Sequence, residues 1–114
     1  MVATRDIGRL SAEVLQQQWI GNRRLELEGP ERYSQWDAAE SFSRLLNRSV
    51  LAKSVARDAW QSYFENQGMP ANRTASRIEM LDGFNSGWID FEQKGTEHFR
   101  GSCTQEKLFQ TLIH

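Results

Sequence analysis

The sequence is poor in the residues on which disulfides, metal sites and membrane spans depend. It contains one cysteine, two prolines and two histidines in 114 residues, which excludes an internal disulfide and a cysteine-rich zinc site. The net charge of -1 and the pI near 6.1 do not fit a strongly basic nucleic-acid module. No apolar run of about 18 residues is present, and residues 1–10 lack the apolar core of a signal peptide. We therefore expect a cytoplasmic protein with neither a nucleic-acid nor a membrane partner.

The motifs of common enzyme classes are missing as well. There is no G-x-x-x-x-G-K-[ST] or G-x-G-x-x-G loop to hold a phosphate, no G-x-S-x-G nucleophile elbow and no H-E-x-x-H metal motif. The sequence therefore assigns no catalytic residue, no metal ligand and no bound cofactor. We expect that the chain is not an enzyme on its own.

The residues that are present predict one small domain over residues 1–114. Hydrophobic residues make up 39% of the chain and include four Trp, six Phe and two Tyr, enough for a lean core. Apolar side chains recur at helical spacing, and alternation marks residues 23–30 as a half-buried strand. The predicted class is α+β, with four to five helices around a two- to three-stranded sheet. The helices are expected at 4–19, 34–47, 58–68, 78–84 and 104–113, further strands at 49–56 and 88–91, and a loop at 71–76.

Several helix ends have recognisable cap residues. Ser34 and Asp37 have the spacing of a capping box, and Asn47 suits the left-handed position that follows a helix. Thr104 is placed to cap the last helix. Thr4 and Asp58 are predicted to cap the first and third helices.

Aromatic residues gather in the second half of the chain. Large side chains fall on two successive predicted helical segments, whose facing would line an apolar pocket. In a chain with a lean core, the simpler interpretation is that the same side chains form ordinary core, and both interpretations stay open. The only histidine far from a terminus is His98, and histidine is the residue type most often used as a general acid or base, so His98 is the one candidate for that role. The candidate ligand pocket therefore consists of Trp60, Phe64, Met80, Phe84, Trp88 and His98.

Four stretches together resemble one protein family. These are VATRDIGRLSAEVL (2–15), LELEGPERYSQWDAAESFSRLLNRSV (25–50), RIEMLDGFNSGWIDFE (77–92) and HFRGSCTQEKL (98–108). Their order and spacing resemble the C-terminal, substrate-side portion of NmrA-like proteins, which are atypical short-chain dehydrogenase/reductase relatives. The segment 47–50 departs from the glycine and proline usual in the family, and 101–104 keeps only the outline of the last motif.

The resemblance implies a lobe without its usual partner. Intact NmrA-like proteins begin with a Rossmann domain that carries the glycine-rich cofactor loop, and nothing in this chain matches that domain. The family's NAD(P) binding is therefore not expected here. The residues that match the family's cleft-closing surface are Thr4 to Asp6 and the aromatic segment between Trp60 and Trp88.

Three hypotheses about function follow. The first is a non-enzymatic, stand-alone binding or interaction module that self-associates, most simply as a homodimer, because a two-stranded sheet leaves edges and apolar surface open. The second is a protein that binds an apolar small molecule, or an enzyme, through the aromatic pocket, or one half of a split NAD(P)-dependent protein completed by a Rossmann-type partner chain. The third is a truncated reading frame, of the kind that a mobile gene cassette carries, without a defined role.

Overall fold

The structure is a computed structural model that describes residues 1–92 and 94–113. The described residues form an α+β fold with five α-helices and one two-stranded parallel sheet, as the sequence predicts. Compact packing divides them into two units, residues 1–52 with 92–114 and residues 53–91. The elements are α1 (Thr4–Leu15), β1 (Leu25–Glu28), α2 (Gln35–Leu46), a 3₁₀ turn (Arg57–Ala59), α3 (Trp60–Asn66), α4 (Ala71–Asn85), β2 (Glu97–Arg100) and α5 (Gln105–Leu112).

The first unit contains the sheet and the packed pair α2 and α5. β1 runs parallel to β2, with Leu25 opposite Glu97 and Glu28 opposite Arg100. Between the two helices, Phe42 and Phe109 stack with ring centroids 4.1 Å apart. The buried apolar residues of the described chain are mostly small, so this unit is held by a thin core. They are Ala3, Ala39, Cys103 and Phe109.

The second unit is a helical hairpin closed by an arginine. The Arg57 guanidinium donates from Nε and Nη2 to the Asp82 carboxylate at 2.8 and 2.6 Å, and it lies over the Trp60 ring at 5.0 Å. The indole Nε1 of Trp60 donates to the Val55 carbonyl at 2.8 Å. Arg57 thus fastens the 3₁₀ turn to α4, against which α3 packs.

Two strand predictions are wrong, and one strand was missed. Residues 49–56 form no strand, because the Val50 backbone N–H and C=O both bond to the Ser43 hydroxyl instead of a neighbouring strand. Residues 88–91 form a bend after α4. The second strand is β2, which the sequence does not predict, because its charged residues hide the usual β signal.

The helix boundaries also differ in places. α1 ends at Leu15 rather than near Trp19, and its N-cap is Ala3, so Thr4 does not cap it. Asp58 caps nothing, since the 3₁₀ turn begins after Ala56 without a side-chain cap. Residues 71–76, predicted as a loop, are the first turns of α4. Pro70 directly precedes that helix, and Ala71 and Ala75 favour it.

Three predicted helix ends are confirmed. Ser34 and Asp37 form a reciprocal capping box at the start of α2, and Asn47 ends that helix with φ 49° and ψ 41°. The Thr104 hydroxyl accepts the Lys107 N–H at 3.3 Å at the start of α5.

Candidate interaction surface

An open apolar groove lies between α1 and one face of β1. The helix contributes its apolar stripe, which includes Ile7, Leu10 and Val14, and the strand contributes Leu25 and Leu27. These leucines share a face because alternate residues of a strand point the same way. The groove has a volume of about 660 Å³. We call it the apolar groove; it is lined by Val2, Ile7, Leu10, Ser11, Val14, Leu15, Trp19, Leu25 and Leu27.

Several large side chains of this groove are open to solvent. Ile7 is 44% exposed, Leu15 77% and Trp19 45%. Apolar surface gathered in one place differs from single exposed apolar residues, which are common on any protein. The apolar groove is therefore a candidate binding surface.

A second exposed apolar feature adjoins the groove in the chain, directly after Trp19. We call residues 17–20 the Ile20 corner, because Ile20 is fully exposed at 102% of its reference area. Arg23 holds the base of this corner: its guanidinium lies 5.4 Å from the Trp19 ring centre and donates to the Gln17 side chain at 3.0 Å. The corner thus presents an isoleucine that makes little contact with its own chain.

A carboxylate anchors the same arginine to β2. Arg23 donates from Nε and Nη2 to the two Glu97 oxygens at 2.7 and 2.8 Å. This hydrogen bonding holds the pKa of the Glu97 carboxyl below its usual range and raises the pKa of Arg23. The pair therefore stays ionised at neutral pH and ties the corner to the sheet.

The opposite face of the sheet is polar. The Glu28 carboxylate is nearly buried and lies 2.9 Å from Arg100 Nη1 and 3.3 Å from His98 Nε2. Glu26 lies 3.9 Å from His98 Nδ1 and accepts the Thr96 hydroxyl at 2.9 Å. Among the described residues, no group of three histidine, cysteine or acidic side chains is arranged to hold a metal ion. The contacts of Glu26 and Glu28 with His98 and Arg100 join β1 to β2 through side chains, in addition to the backbone pairing of the two strands.

The predicted pocket residues are divided between the two units. His98 belongs to the first unit, and the five others belong to the second. Within the second unit, Phe64 lines a shallow groove of about 300 Å³ with residues 67–70 and Arg73. Phe84 is 55% exposed and Trp88 81%, and Met80 is half-buried on α4. A ligand pocket built from Trp60, Phe64, Met80, Phe84, Trp88 and His98 stays a prediction.

The sequence predicts the helical stripe and the strand leucines that line the apolar groove, but it does not predict that they lie side by side. The stripe on α1 and the alternation of Leu25 and Leu27 were both visible as patterns. That the two patterns face each other depends on where β1 lies against α1. The link between Glu28 and His98 was also missed, because it needs the pairing of β1 with β2.

Comparisons with protein-family models, with curated proteins and with solved structures found no match to this chain. In the part of the chain that the structure describes, no helix is long and apolar enough to cross a bilayer.

Proposed function

We propose that this chain is a non-enzymatic interaction module that self-associates through its apolar groove. The observation that carries the proposal is the concentration of exposed apolar side chains on α1 and the segment after it.

The exposed area reaches the lower limit of a specific interface. Ile7, Leu15, Trp19 and Ile20 are between 44% and 102% exposed. Side chains of this size present on the order of 500 Å² of apolar surface in total. Two copies placed face to face would cover on the order of 1,000 Å², where specific interfaces begin. Association would bury this apolar area and so add to the small amount of apolar surface that the first unit buries in its own core.

Charge and sheet geometry also favour a second copy as partner. The net charge is -1, so two copies repel each other weakly, and a strongly charged partner gains little from this chain. Within the described residues the sheet has two strands, so each strand has an edge that no further strand covers. A twofold axis would repeat the same contacts on both copies.

Analytical ultracentrifugation of the full chain tests the proposal. We expect a dimer at micromolar concentration, and we expect it to persist in about 1 M salt, where the Debye length is about 3 Å and exposed ion pairs are screened. The melting temperature should rise with protein concentration, because association stabilises only the folded chain. A monomer at all concentrations up to 100-fold above this range would refute the proposal.

A Rossmann-type partner chain would cover the same groove. If the chain is monomeric alone but forms a one-to-one complex with such a protein, the self-association proposal is replaced by the split-protein hypothesis.

The small-molecule hypothesis has its own test in a thermal-shift screen with apolar aromatic compounds. Stabilisation by one of them that Trp88→Ala abolishes would support the aromatic pocket.

A further inference from the structure

We propose that the dimer is built by reciprocal insertion, in which the Ile20 corner of each copy enters the apolar groove of the other. The inference rests on the proposed self-association and specifies its contacts. It makes Ile20 the central contact of the interface, although this residue makes no core contact within its own chain.

The shapes of the two features fit this arrangement. The groove is an open depression of about 660 Å³, a volume in the range that accommodates an apolar ligand. At the corner, the Ile20 side chain is fully exposed, and residues 17–20 border a second, shallow surface depression of their own. One chain thus carries both an apolar groove and, next to it in the chain, a fully exposed apolar side chain, which is the self-complementary pattern that a twofold interface requires.

The corner is held in a way that suits an interface. Arg23 ties it to Glu97 through two hydrogen bonds and stacks over Trp19. A segment that is already ordered loses less conformational freedom on binding than a mobile one does. Trp19 both lines the groove and precedes Ile20, so the inserting and receiving surfaces are continuous.

The groove itself is apolar enough to receive an isoleucine. Its walls are the aliphatic side chains of α1 and β1, with Ser11 as a small polar residue among them. Burial of an aliphatic side chain in an apolar site favours association. In a twofold dimer each Ile20 contact occurs twice, so a single substitution removes two of them.

The first experiment compares Ile20→Ser with Leu51→Ser by sedimentation equilibrium. Both residues are exposed aliphatic side chains of the first unit, Leu51 being 84% exposed outside the apolar groove, so neither change should unfold the chain. We expect Ile20→Ser to raise the dimer Kd at least about 10-fold and Leu51→Ser to leave it within about twofold.

The second experiment tests the reciprocal geometry directly. The variants Ser11→Cys and Ile20→Cys, carrying different tags, are mixed and treated with a short bismaleimide. The native Cys103 is buried and should react slowly. We expect a heterodimeric crosslink between the two variants, and none when Ser11→Cys is replaced by Gln110→Cys on α5.

The outcomes separate this inference from the function on which it rests. If the chain is dimeric but Ile20→Ser dimerises as tightly as the unchanged chain, reciprocal insertion is wrong while self-association stands. If the chain is a monomer, both are wrong. A monomer that sediments with neutral lipid vesicles, and loses this binding on Ile20→Ser, would assign the corner to a membrane surface and overturn the inference.

Discussion

Asp6 is a charged side chain that lies almost wholly inside the first unit. It is 2% exposed, and its Oδ2 accepts the backbone N–H groups of Ser102 and Cys103 at 3.1 and 3.0 Å. A buried carboxylate is tolerated when backbone donors point at it. Asp6 therefore fastens α1 to the loop between β2 and α5, across most of the length of the chain.

Replacing Asp6 with alanine should destabilise the fold. The change leaves two backbone N–H groups without their acceptor in a buried place, at a cost of about 2–3 kcal/mol. Urea denaturation followed by circular dichroism measures it. Glu79→Ala, at an exposed position of α4, is the control and should change the free energy of unfolding by less than about 0.5 kcal/mol. Equal effects of the two substitutions would contradict the anchoring role of Asp6.

Gly101 is required by the same carboxylate. A Cβ at this position would lie 2.5 Å from Asp6 Oδ2, and Asp6 cannot move without giving up its hydrogen bonds. Gly101→Ala should therefore lower the free energy of unfolding by about 1–3 kcal/mol.

Gly8 supplies the matched control for that prediction. An added Cβ at Gly8 meets nothing within 4 Å, and the residue lies inside α1. Gly8→Ala should raise stability by about 0.5–1 kcal/mol, because alanine favours a helix interior. Thermal melts of the two variants should move in opposite directions, and a shift of both in the same direction would argue against this account.

At the scale of elements, α2 is the helix with the most complete cap. The Ser34 hydroxyl and the Ser34 backbone N–H both donate to Asp37 Oδ2 at 2.6 Å, and the Asp37 N–H donates back to the hydroxyl at 3.3 Å. These bonds hold the pKa of Asp37 below its usual range. The bond from the Ser34 hydroxyl has the larger effect, and the bond from the Ser34 backbone N–H has the next largest. The negative charge also lies where the helix dipole favours it.

This lowered pKa predicts how the stability of α2 depends on pH. Since the pKa is lower in the folded than in the unfolded chain, the stabilisation is complete above the unfolded value of about 3.9 and is lost as pH falls through the folded value. Asp37→Asn should therefore lower the free energy of unfolding at neutral pH. The difference in this free energy between the variant and the unchanged chain should shrink below about pH 4. Urea titrations between about pH 3 and pH 7 measure this difference.

The control for the pH prediction is Asp58→Asn, which changes an exposed acid in the 3₁₀ turn that caps no helix. Its difference from the unchanged chain should vary less with pH than that of Asp37→Asn. If the difference in free energy of unfolding between Asp37→Asn and the unchanged chain does not vary with pH, the cap does not depend on the charge of the Asp37 carboxylate.

At the scale of the whole molecule, the two units differ in what they bury. In the first unit, Phe109 is buried against Phe42 and the Asp6 carboxylate is enclosed. In the second unit, the buried residues of its helices are Thr74 and Gly83, neither of which is a large apolar side chain. The second unit therefore depends more on surface contacts such as the one between Arg57 and Asp82.

This difference predicts unequal protection from hydrogen exchange. Regions with little buried apolar area open locally at lower free energy than regions with a packed core. Amides of α3 and α4 should exchange faster than those of α2 and α5 in native-state hydrogen exchange followed by mass spectrometry. Equal or slower exchange in α3 and α4 would show that their surface contacts stabilise them as well as a core does.

Features that depend on near neighbours in the chain follow from local sequence patterns. The capping box at Ser34, the left-handed Asn47 and the cap at Thr104 each involve residues within a few positions of one another, so local patterns predict them. The alternation of leucines in β1 and the apolar stripe of α1 are local in the same sense. These patterns were sufficient for the α+β class and for most of the helices.

Which of these patterns come into contact depends on the tertiary fold. β2 is a strand because β1 lies beside it, and its own charged sequence does not predict one. Residues 49–56 have the composition of a strand, but the Ser43 hydroxyl takes the backbone bonds that a neighbouring strand would need. The apolar groove, the bond from Cys103 to Asp6 and the contact of His98 with Glu28 all join residues far apart in the chain. Such contacts depend on the path of the backbone, which local propensity does not specify.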